Sequence, residues 1–140
     1  MKRSNPWALP VVKNEPVSRT FNDPAQEEPL TLTLRKPDPL LLAGYLEKAQ
    51  GWIESHANGV PTPDGEAVRV PDSQWYLIAT LMAADVPDED GTVWSELDWI
   101  GCAKRYPNAW LEICNWLPEV TQLQMPRDPE GNSGAALAKP

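Results

Sequence analysis

Sulfur and imidazole are scarce in this chain: its 140 residues include only Cys102, Cys114 and one histidine, His56. With no CxxC spacing, they cannot supply the Cys/His set of a structural zinc site. Both cysteines fall on apolar helical faces, which predicts buried thiols in a reducing compartment. Long hydrophobic runs are missing too. No stretch approaches the ~18 uninterrupted apolar residues of a membrane span, and the opening MKRS is followed by no signal-peptide core. The expectation is a cytosolic protein at synthesis. Basic residues are few, 12 Lys and Arg against 20 Asp and Glu, for a net charge of −8. That argues against a nucleic-acid backbone or an anionic membrane as the main partner. No glycine-rich phosphate loop is present.

Two residue types are abundant. Sixteen prolines are roughly double the usual ~5% share. Seven tryptophans each bring a large apolar area and one N–H that wants a partner, which favours cores and interfaces. The acid is concentrated as well. Residues 58–91 hold Asp64, Glu66, Asp72, Asp85, Asp88, Glu89 and Asp90 against Arg69 alone, either a solvated loop region or a docking patch for a basic partner.

The stretch LTLTLRKPDPLLLAGYLEKAQGWIESH, Leu30 to His56, organises the rest. Leu30, Leu32 and Leu34 alternate with Thr31, Thr33 and Arg35, the period of a strand with one buried face. Pro37 stops that strand. Asp38 is placed as an N-cap and Pro39 as the first helical residue. Leu40, Leu41, Ala43, Leu46, Ala49, Trp52 and Ile53 then predict an amphipathic helix to about Ala57, ended at Asn58-Gly59.

Upstream, residues 1–16 have three prolines and no periodicity, and read as an extended arm with Trp7, Leu9, Val11 and Val12 as anchors. Val17–Phe21 is a candidate strand, joined to the second through the turn chemistry of NDPAQEEP. Downstream, Glu66–Val70 reads as a short third strand, and Asp72 or Ser73 as the cap of a helix reaching about Asp85. Thr92 reads as the cap of a third helix, Val93–Arg105. A fourth runs over about Asn108–Leu117, with Pro118 ending it or starting a final turn through Leu123. Residues 124–140 read as a flexible tail. The predicted fold is mainly α: about four helices in a small orthogonal or bundle-like domain over residues 17–123, with a short N-terminal β-hairpin and extended termini.

Chemistry-bearing candidates are thin. An EF-hand frame with Gly91 at its sixth position puts Val86 and Leu97 where acids are needed, which excludes it. His56 ends a helix, where a cation is favoured, and Ser55 beside it has no elbow motif. Glu96 and Asp98 are two apart on a helix and point to different sides, leaving no paired carboxylates with Glu112. The expectation is a protein without catalysis, cofactor or metal. Trp52, Trp75, Trp94 and Trp110 lie on apolar faces and read as core. Trp7, Leu9, Trp99 and Trp116 are candidate interface anchors, and Asp88, Glu89 and Asp90 a candidate charged contact.

The run FNDPAQEEPLTLTLRKPDPLLLAGYLE, with GEAVRVPDSQWYLIATLMAA and YPNAWLEICNWL after it, resembles small proteins encoded among the tail-module genes of tailed bacteriophages. The resemblance covers about residues 20–120. It implies a tail-assembly chaperone type, a mostly helical protein that coats the tape-measure protein before the tail tube polymerises. The proline-rich arm departs from that pattern and is more at home in a structural head or tail component whose arms thread between subunits. A regulator that docks on a host enzyme through the acidic 58–91 region is a third alternative. The implied partner is thus a phage structural or tape-measure protein, or a further copy of this chain, in the host cytoplasm or the virion.

Overall fold

The alternating leucines form one side of a hairpin. The computed structural model describes residues 3, 5–10 and 14–122; Val11, Val12, Leu123 and the 124–140 tail lie outside them. Strands β1 (Val17–Phe21) and β2 (Leu30–Leu34) pair antiparallel, with Val17 opposite Leu34 and Phe21 opposite Leu30. Phe21, Leu30, Leu32 and Leu34 turn inward. On the other face the hydroxyls of Ser18 and Thr33 lie 2.7 Å apart, and those of Thr20 and Thr31 2.9 Å. A two-stranded hairpin is marginal alone. Here the chain leaving the second helix supports it: Arg35 N–H donates to the Ala84 carbonyl and Val86 N–H to that of Thr33, both at 2.9 Å.

Helix α1 (Pro39–Ser55) starts as its sequence dictates, with Asp38 Oδ1 accepting from Leu40 N–H at 2.8 Å and Pro39 in the first turn. It packs on α2 (Asp72–Ala84), with Ala49 in the core and Tyr45, Leu46, Trp52 and Ile53 packed against it. The expected apolar face is too wide at one end, since Leu40 is 83% exposed and Leu41 is also exposed. Trp52 and His56 hold the far end of α1 on Trp75, near the start of α2. The four extra residues of α1 therefore fall at its first turn, beyond the cover of α2.

Between these helices lies a minimal ladder of β3 (Val60–Pro61) and β4 (Ala67–Val68). The expected third strand is present but shorter than Glu66–Val70, and its partner β3 was not anticipated. Gly59 makes the approach to β3 possible: its φ is +106°, and a Cβ there would sit 3.1 Å from that of Ala67.

Three other boundaries shift. Helix α2 starts at Asp72 itself, with Pro71 in the cap position and no side-chain cap from Asp72 or Ser73. Helix α3 (Glu96–Arg105) begins three residues after the expected Val93, because Ser95 and Asp98 form a capping box. Thr92 instead bonds back into the preceding turn. Helix α4 (Pro107–Thr121) keeps Pro118 inside its last turn, the longer of the two expected continuations as far as Thr121. Proline lacks the N–H that would reach the Cys114 carbonyl, but a place so near the end limits the loss to one bond. The four helices and the hairpin enclose one core, built around Phe21, Leu34, Trp75, Leu81, Trp99 and Ile113.

Candidate functional site

Within the arm, a turn carries Trp7 and Leu9 outward. Asn5 Oδ1 accepts from Trp7 N–H at 3.2 Å, and Pro6–Ala8 close a single 3-10 turn. Trp7 is 94% exposed and Leu9 is exposed beside it.

The other two proposed anchors belong to the core, which corrects their assignment to an interface. Trp99 is 0% exposed and meets the Trp94 ring edge-on at 4.8 Å. Its indole N–H has no hydrogen-bond partner among the described residues. Trp116 is 5% exposed and packs on Phe21 at 5.7 Å, with the Arg19 guanidinium 5.8 Å from its ring. Packing of the hairpin onto α4 thus claims Trp116, and the turn of chain before α3 claims Trp99.

Asp88, Glu89 and Asp90 stand exposed on the loop before α3. Gly91, at φ +78°, closes the turn, its N–H donating to the Asp88 carbonyl at 2.9 Å. Thr92 N–H donates to Asp88 Oδ1 at 2.9 Å, and the Thr92 hydroxyl to Asp90 Oδ1 at 2.9 Å. Hydrogen bonding between the two carboxyls pushes Asp88 up and Asp90 down from the usual range. Asp85 lies next to this turn, half-buried at the end of α2. Burial, and then the charge of Asp88, push it up to about 6.

Asp23 was not singled out by sequence reasoning. It is 4% exposed, and its carboxylate spans two elements. Oδ1 accepts from Ala25 N–H at 2.9 Å, while Oδ2 accepts from Asn108 N–H at 2.8 Å and Ala109 N–H at 2.9 Å. The hairpin loop therefore caps α4, which has no cap of its own. The bond to Ala25, and then those to Ala109 and Asn108, hold its pKa below the ordinary value despite burial. The NDP motif announces a turn, and nothing in it announces a helix 85 residues away.

Two of the residues considered for catalysis are engaged elsewhere. The His56 ring stacks on Trp75 at 5.4 Å, Asp98 completes the α3 cap, and Glu112 is exposed on α4. Burial pushes the Cys102 thiol up to about 12 and raises that of Cys114. Among the described residues no three His, Cys, Asp or Glu side chains gather as a metal site, and no helix is long and apolar enough to cross a membrane.

One concavity also went unforeseen. A groove of about 170 Å³ lies where β4, α2, α3 and α4 meet, floored by Ile78, Ile100 and Trp110. Comparison with protein-family models, curated proteins and solved structures finds no match for this chain.

Proposed function

We propose that this chain is a non-enzymatic, protein-binding component of tailed-phage assembly that engages its neighbours through the N-terminal arm. The observation that carries the reading is Trp7, 94% exposed on a turn outside the core. Exposed indole on a proline-rich arm costs solvation in a lone chain and gains most when a partner covers it. A structural head or tail component, with its arm laid along the next subunit, fits that feature best.

The chaperone form, binding a tape-measure protein, is the second reading. Its expected surface, the tryptophan-bearing helices, turns Trp75, Trp99, Trp110 and Trp116 inward. What favours it is the apolar groove, a place for a side chain from an extended apolar helix.

Mass spectrometry of purified mature particles separates the two, combined with a photo-cross-linking residue in place of Trp7. Stoichiometric presence and a cross-link to a structural subunit support the first reading. Absence from particles with a cross-link to a tape-measure-like protein supports the second. No cross-link in particles or infected-cell lysate would remove the arm as the binding element.

A further inference from the structure

The groove is apolar within and cationic at its mouth, on a domain that is otherwise acidic. Val70 and Ala103 flank the floor, and Trp110 Nε1 donates to Gln74 Oε1 at 3.0 Å, so that indole is already satisfied. Arg69, from the connection between β4 and α2, and Lys104, from the last turn of α3, both line the groove and are exposed. Neither lies within ion-pair distance of a carboxylate among the described residues. Over residues 17–122 there are seventeen acidic residues against seven basic ones, so two cations on one groove mark it off from its surroundings. A basic partner is drawn to the rest of the surface, and this groove suits an acidic one. Size narrows the occupant further. At about 170 Å³ the space is below the ~300–1,000 Å³ of small-molecule pockets, and it holds one large side chain.

We infer that the groove binds a helical segment of a partner protein, which seats one large apolar side chain on Ile78, Ile100 and Trp110 and presents carboxylates to Arg69 and Lys104. This rests on the protein-binding reading above but is independent of the arm.

The test titrates the ¹⁵N-labelled full chain with a capped, alanine-based helical peptide. The peptide carries one Phe, with Glu four residues before and four after it on the same face. A twin carries Gln for both Glu. The Glu peptide should shift the Trp110 indole N–H and Gln74 side-chain amide signals saturably. The Gln twin should bind about fivefold more weakly, the scale of two solvent-exposed ion pairs. Arg69→Gln together with Lys104→Gln should bring the two peptides to one affinity, and Ala103→Phe should abolish both by filling the groove. Trp7→Ala should leave peptide binding unchanged, so that failure here and failure of the arm are read apart. Equal binding of the twins, shifts confined to other surfaces, or no saturable shift would overturn the inference. So would 4-phenylbutyrate binding as tightly as the Glu peptide, which would make a small organic acid the occupant.

Discussion

Replacing Asp85 with asparagine should stabilise the domain near neutrality and leave it unchanged in acid. Asp85 closes α2, and its carboxyl has no hydrogen-bond or ion-pair partner among the described residues. Burial and the neighbouring Asp88 move its pKa from 3.8 to about 6. An acid that holds its proton more tightly when folded weakens the fold once ionised. The penalty is absent below about pH 4, develops between pH 4 and 6, and is complete above that. About two pKa units at ~1.36 kcal/mol each set a ceiling near 3 kcal/mol. Because the group is only half-buried, solvent screening reduces this to about 1–1.5 kcal/mol. The negative end of the helix dipole acts in the same direction. At ~2.1 cal/mol/K of unfolding entropy per residue, that is a Tm gain of about 3–5 °C. The assay is thermal unfolding by circular dichroism of both proteins, at constant ionic strength, from about pH 4 to pH 8. A gain that disappears toward pH 4 supports the reasoning. A gain of equal size at every pH, or a loss at neutral pH, would refute it.

Asp23→Ala should lower Tm at neutral pH by uncapping α4. Because the folded pKa of Asp23 is depressed, its contribution is present above about pH 4 and lost as pH falls through the folded value, so the variant and parent curves should converge in acid. Trp116→Ala should cost about 3–5 kcal/mol in urea unfolding, the range for a large core aromatic; a change under ~0.5 kcal/mol would return it to the surface. Cys102 should resist thiol-disulfide reagents at pH 8 in the native protein and react fully in denaturant; rapid labelling without unfolding would contradict its burial.

The elements legible in the sequence were those whose signals are local. The leucine alternation of 30–34 and the Asp38-Pro39 start needed no information from elsewhere, and both hold. Ser95 and Asp98 also carried a local signal, a capping box, but Thr92 offered a competing cap three residues earlier. Leu40 and Leu41 follow the helical period and are nonetheless exposed, because periodicity shows which face is apolar but not how far the covering helix extends. The same limit applies to the tryptophans. Trp99 and Trp116 are placed by neighbours remote in sequence or by the irregular chain before α3, so spacing alone could not settle their burial. The groove draws on four elements and has no linear signature.

The cap that Asp23 lends to α4 also bears on how the chain is made. A segment comprising α3 and α4 alone holds no acceptor for the Asn108 and Ala109 N–H groups beyond water, and α4 begins there without support. During synthesis the hairpin leaves the ribosome first, with Phe21, Leu30, Leu32 and Leu34 uncovered and Asp23 still unused. The Ala84–Val86 stretch that supports β2 arrives with α2, but Asn108, Ala109 and Trp116 arrive only once α4 has been translated, and a long loop must then close. The core is therefore closed only once α4 has emerged. Until then the bare leucine strand is the stretch through which a nascent chain is most exposed to wrong pairing.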